Sequence, residues 1–138
     1  VAIEPVALDD IDAIPDWVPR ALPLPVPCGV HFDAIRLPAD LGVLVVDRMA
    51  RACGPVVVNT YAGFWAVLIA PGSAPHWRVH RTRLLRPGTL LALPPLHAPE
   101  GRDIHWAVPP TTGWPDPDEI RHTLTAPMSN TLTTRLGA

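Results

Sequence analysis

From Val30 the chain alternates apolar and polar positions, Val-His-Phe-Asp-Ala-Ile, the period of a strand with one buried face. Pro38 then suits a first helical turn. Leu41, Leu44, Val45, Met49 and Ala52 recur near helical spacing, leaving Asp40, Asp47, Arg48 and Arg51 for solvent. Leu41 to Val46 is valine-rich enough to be a strand, but the run is too long for an ordinary one. Cys53-Gly54-Pro55 also supplies a helix stop, since glycine accepts the left-handed conformation after the last turn and proline cannot continue it. Pro55 to Asn59 and Phe64 to Ala70 are β-branched or aromatic runs flanking Thr60-Tyr61-Ala62-Gly63, which predicts a hairpin ended by Pro71-Gly72-Ser73. Further strands are predicted over 79–85, 89–93 and 104–108, with turns at Arg86-Pro87-Gly88 and in the Pro-Glu-Gly loop. Asp116-Pro117-Asp118-Glu119 places Asp at the N-cap, Pro at N1 and Glu at N3 of a short helix over 117–125, ended by Pro127.

This order predicts an α+β fold: an antiparallel meandering sheet with one helix packed on a face and a short C-terminal helix. Three segments follow: a proline-rich extended arm (1–29), a single α+β domain (30–126) and a Ser/Thr-rich tail (127–138). The arm, with Trp17, Val18, Leu22, Leu24 and Val26, is too apolar for a solvated tail and is expected to lie on the core or on a partner. There Trp17 is either an anchor onto its own domain or a partner contact.

Composition narrows the choices. Prolines number 19 in 138 residues, against roughly one in twenty in ordinary proteins, so long helices are few. All 11 basic residues are arginine and net charge is only −2, so charge has to be judged locally. No apolar run approaches a membrane span and the first residues lack a secretory signal pattern, which predicts a cytoplasmic protein with no membrane partner. Cys28 and Cys53 stand outside any CxxC and are expected to be small packed thiols. Asp9, Asp10 and Asp12 read as a solvated acidic turn rather than a cation site. Trp65, Trp77, Trp106 and Trp114 are candidate core anchors.

Gly88 to Pro110, GTLLALPPLHAPEGRDIHWAVPP, joins two strand-like runs through Pro-Pro and a glycine-bearing loop to an Ile-His-Trp strand. It resembles the closing strand pair of the bifunctional primase/polymerase (prim-pol) family. The resemblance implies that the strands of 88–93 and 104–108 pair or neighbour one another in one sheet, with Trp106 on an apolar face. It also implies an acidic motif at His31-Phe32-Asp33-Ala34-Ile35, where only Asp33 is a carboxylate, and a second motif, a hydroxyl residue and a histidine around a glycine turn, at Thr60 to Trp65, where tryptophan stands near the expected histidine. A third acid is absent from Trp77 to Leu91. Two-metal phosphoryl transfer needs several oxygen ligands, so the resemblance implies a degenerate, non-catalytic member.

The strongest local charge is His76-Trp77-Arg78-Val79-His80-Arg81-Thr82-Arg83. If extended, period two places His76, Arg78, His80 and Thr82 on one face and Trp77, Val79, Arg81 and Arg83 on the other. Arg78, His80, Arg81 and Arg83 then become candidate contacts to phosphate, with Trp77 as a stacking plate. His76 and His80 also have i, i+4 spacing, with His31, His97, His105 or Asp33 as further ligands, but Pro75 and Val79 oppose a regular helix and no metal or cofactor is predicted. No GxSxG, GxxxxGK[ST] or GxGxxG occurs.

The leading expectation is a non-catalytic module for an anionic ligand, nucleotide or nucleic acid. One alternative is a small enzyme of specialised metabolism using His31, Asp33, His80 or His105 with arginine in a Trp-lined pocket. Another is a protein-interaction module working through the arm around Trp17. Exposed edges of a short meander also allow a homodimer.

Overall fold

The computed structural model describes residues 14–98, 102–111 and 113–125. The acidic cluster at Asp9, Asp10 and Asp12 and the tail 127–138 lie outside them. Among the described residues there are seven strands and two α-helices: β1 (Leu24–Pro27), β2 (Asp33–Leu37), α1 (Ala39–Met49), β3 (Val56–Asn59), β4 (Phe64–Ile69), β5 (Arg83–Leu84), β6 (Leu90–Leu93), β7 (Ile104–Val108) and α2 (Pro117–Thr125). The fold is α+β, as the hydrophobic pattern predicts.

The main sheet is antiparallel, in the order β5-β2-β4-β3-β7. On one face Ile35, Leu37, Val56, Val67, Ile69 and Val108 pack with Val45 of α1 and Ile120 of α2. On the other, Phe32, Ala34, Val57, Ala66 and Leu68 pack beneath Leu91 and Leu93 of a separate two-stranded ribbon, β1-β6. Because β3 is covered from both sides, Val56, Val57 and Val58 are all buried, which is why this strand reads as a continuous valine run rather than an alternation.

Local chemistry accounts for the boundaries. After α1 a 3-10 turn, Ala50–Cys53, leads to Gly54 at φ 72, the left-handed position that the Gly-Pro pair predicts. Asp116 caps α2 by accepting the Asp118 N–H at 2.9 Å. The β3–β4 hairpin closes as expected: the Gly63 N–H donates to Asn59 O at 2.9 Å, and the buried Asn59 side chain accepts the Ala62 N–H at 2.9 Å. Gly42 is buried in mid-helix against Trp65, where a glycine is otherwise unfavourable.

The predicted partnership of β6 with β7 is not formed. β6 pairs with β1, and β7 lies beside β3 in the main sheet. The connection between them is too long for a turn to dictate pairing, so register is set by what each strand covers. The two remain neighbours across layers: Trp106, half-buried, packs on the ribbon-side cluster and its indole N–H donates to Pro94 O at 3.0 Å.

The end of the arm is part of the fold. Cys28 N–H donates to Thr89 O at 2.8 Å, so by alternation Leu24 and Val26 turn their N–H groups to β6 while Pro25 and Pro27 sit on the free edge. Proline has no donor to lose there, which explains how Leu-Pro-Val-Pro forms a strand. Trp17 docks on its own domain, its ring centroid 5.1 Å from that of Phe32 and stacked near His31 and Trp114. Among the described residues no helix is long and apolar enough to cross a membrane.

Candidate functional site

The arginine-rich segment is not the extended strand that period two requires. Only Arg83–Leu84 is strand, paired to β2, and the preceding residues are turns and irregular backbone. Pro75 interrupts strand geometry and Trp77 is drawn onto the helix-side core. Its indole N–H donates to Thr82 Oγ1 at 2.8 Å, while the Thr82 hydroxyl donates to Val79 O at 2.7 Å, closing the loop on itself. Arg81, at φ 68, makes a bidentate pair with Asp40 of α1, at 2.8 and 3.0 Å. The pair holds the Asp40 carboxyl below its ordinary range, chiefly through the hydrogen bond from the guanidinium, and raises Arg81 further.

Of the five residues predicted to meet a ligand, two are therefore engaged internally: Trp77 by core and threonine, Arg81 by Asp40. Arg78, His80 and Arg83 remain exposed around a shallow, open depression of about 480 Å³ lined by Trp77–His80 and Thr82–Leu84. Register adds a residue that sequence reasoning missed. Arg36 of β2 lies directly across from Arg83 of β5, so both project on the same face of the sheet. Its guanidinium also sits 4.4 Å from the centroid of Phe64. Among the described residues neither Arg36, Arg78 nor Arg83 forms an ion pair. Arg36 is a charged residue between the buried Ile35 and Leu37, so it turns to the opposite face of β2 from them, but its neighbour across the sheet is not legible from sequence.

The predicted acid-base candidates do not converge. Asp33 opens β2 and accepts the Gly72 N–H at 2.8 Å. His80 belongs to the loop tied to Asp40, beyond the other end of β2. His105 lies on β7, three strand spacings from β2 and level with its far end, roughly 14 Å across the sheet and 13 Å along it from Asp33. Its Nδ1 is 2.9 Å from Arg102 O, and since a carbonyl only accepts, that nitrogen carries the proton. His31 is exposed and stacks on Trp17, with centroids 6.4 Å apart. Among the described residues no group of three or more His, Cys, Asp or Glu is placed to hold a metal ion.

Cys28 and Cys53 are both buried, and burial pushes each thiol up to about 11, with the charge of Asp33 adding to the effect on Cys28. Such thiols are poor nucleophiles at neutral pH. No family model, curated protein or solved structure matches this chain.

Proposed function

We propose that this protein is a non-catalytic binding module for a phosphate-bearing ligand, a nucleotide or a single-stranded nucleic acid, held at the β2–β5 edge by Arg36, Arg78, His80 and Arg83. The observation that carries the reading is the Arg36–Arg83 pair. Directly opposed side chains in an antiparallel ladder have Cβ atoms about 5 Å apart, and like charges there destabilise the sheet. An anion between two guanidinium groups reverses that sign and gains charge-assisted hydrogen bonds. The acid nearest the loop, Asp40, is already satisfied by Arg81 and does not compete for the other cations.

With the Trp77 indole tied to Thr82, the site offers charge without a free stacking plate, so it reads phosphate rather than base identity. A prim-pol-like ancestry, proposed from Gly88 to Pro110, suits this ligand class, but with β6 and β7 in different sheets the arginine pair carries the proposal alone.

The test is fluorescence anisotropy with a labelled single-stranded oligonucleotide over a salt series. Three arginine–phosphate contacts predict a log–log slope of about −2, and each of Arg36→Ala, Arg78→Ala and Arg83→Ala should reduce it by about 0.7, with little dependence on base sequence. Arg48→Ala, on the exposed side of α1, should change nothing. No binding at low ionic strength, or equal losses in Arg48→Ala, defeats the proposal.

A further inference from the structure

The three arginines of the β2–β5 edge are not held alike. The Arg36 guanidinium carbon lies 4.4 Å from the centroid of the Phe64 ring, inside the roughly 6 Å over which a cation is drawn to an aromatic face. Among the described residues neither Arg78 nor Arg83 has such a contact. Register explains it. Arg36 lies directly across from Ala66 of β4, and Phe64 is two residues along the same strand, so it shares that face and is the diagonal neighbour of Arg36. Ala66 presents only a methyl group, which leaves the arginine stem room to lean toward the ring. Phe64 is itself fixed twice over. Its backbone pairs with Asn59, whose side chain closes the hairpin turn, and its half-buried ring packs on the ribbon-side cluster.

A ring holds a guanidinium differently from a carboxylate. Asp40 takes donors of Arg81 in a bidentate pair, whereas the quadrupole of a phenyl ring attracts the cation and takes none of its five N–H donors. Among the described residues no ion pair engages Arg36. Its head is therefore localised while its donors stay available to an anion. Arg78 and Arg83 have rotamer freedom to lose when they close on a ligand, and Arg36 has already lost much of it in the free protein.

We propose that Phe64 is a positioning residue of the phosphate-binding edge, seating the Arg36 guanidinium beside Arg83 before the ligand arrives and keeping its contact in the complex. The inference rests on the phosphate-binding reading above and deepens it: of the three arginines, Arg36 is the preorganised anchor.

Titration of a labelled single-stranded oligonucleotide, followed by fluorescence anisotropy over a salt series, separates seating from charge. Phe64→Leu keeps an apolar side chain on the cluster and removes the π face. It should weaken binding about three- to tenfold. Its salt slope should equal that of the wild type, because no phosphate contact is lost, whereas Arg36→Ala lowers the slope. Phe64→Tyr retains the ring and should bind within about twofold of the wild type. In an Arg36→Ala background Phe64→Leu should have no further effect, while in an Arg78→Ala background its full effect should return; a merely structural ring would weaken both alike. A wild type that does not bind removes the phosphate reading and this inference with it. With wild-type binding intact, the positioning role alone is overturned by a Phe64→Leu protein that binds as tightly as wild type or tighter, by a lowered slope in that variant, by a Phe64→Tyr protein no better than Phe64→Leu, or by equal losses in the two backgrounds.

Discussion

Replacing Gly42 with alanine sets two well-measured effects against each other at one atom. In an exposed helix the change is favourable by about 0.8–1 kcal/mol, because alanine loses less backbone entropy and has the higher helix propensity. Gly42 is not exposed. A Cβ at this position falls 2.4 Å from Cδ2 and Cε3 of Trp65 and 2.7 Å from its Cγ. Ordinary carbon contacts lie at about 3.5–4.0 Å, so either the ring or the helix has to move by about 1 Å. The ring is poorly placed to yield, since Trp65 sits in β4 between Leu37 of β2 and Val58 of β3 and is held from both sides. Overpacking of this kind costs about 1–3 kcal/mol. With two ring atoms at 2.4 Å the upper part of that range applies, about 2–3 kcal/mol, and subtracting the propensity gain leaves a net loss of about 1–2 kcal/mol, or roughly 3–10 °C in Tm for a domain of this size. Urea unfolding followed by tryptophan fluorescence and far-UV circular dichroism should show a lower midpoint with an unchanged m-value. Trp65→Phe, which trims the ring at the contact, should recover part of the loss in a double-mutant cycle, with a coupling of about 1 kcal/mol. A Gly42→Ala protein as stable as the wild type, or more so, would mean that α1 does not pack on β4 as described, and the helix layer would have to be redrawn.

The ionisable groups give two further expectations. Asp40 has its folded pKa lowered by Arg81, so its contribution to the loop is present above the unfolded carboxyl range and is lost as pH falls through the folded value; carbon-detected NMR should place its midpoint below the usual aspartate range, and Arg81→Ala should return it there. For Cys28 and Cys53 the folded pKa is raised, so stability is full below the ordinary thiol value of 9.0 and declines as pH climbs toward about 11; at neutral pH neither should react with a disulfide reagent until denaturant is added, and prompt reaction would contradict their burial.

What could be read from the sequence was what neighbours in the chain decide. Helix α1 follows from the spacing of Leu41, Val45 and Met49 with the Gly54-Pro55 stop, the β3–β4 hairpin from its valine run and Gly63, and α2 from the Asp116 cap. The misreadings depend on distant partners. β1 was hidden because proline ordinarily argues against a strand, and only its place on a ribbon edge makes Pro25 and Pro27 harmless. β6 and β7 are close in sequence and similar in composition, yet β6 is claimed by a strand from the arm and β7 by β3. Periodicity alone predicts an extended arginine segment, whereas its shape is decided by Asp40, 41 residues away, and by the Trp77–Thr82 hydrogen bond.

The layer arrangement bears on where any ligand can go. One face of the sheet is filled by α1 and α2 and the other by the ribbon, and the clusters on both sides are closed by side chains such as Phe32, Leu68 and Ile120 with no exposed area. The two depressions accordingly lie at the periphery, one beside β5 and one between the arm and the residues preceding α2. A shallow peripheral site excludes little water, which weakens acid-base catalysis but not binding through several charge-assisted contacts. The arrangement of Arg81 follows the same logic. By spending its charge on Asp40 it fixes the loop to the first turn of α1 and leaves Arg78, His80 and Arg83 as the free groups, so ordering of the loop and its charge come from different residues. Asp40→Asn should therefore loosen the loop while adding a free cation, and its effect on oligonucleotide affinity at low salt separates these roles. A gain means that charge dominates, and a loss means that the loop must be held in place for the arginines to act together.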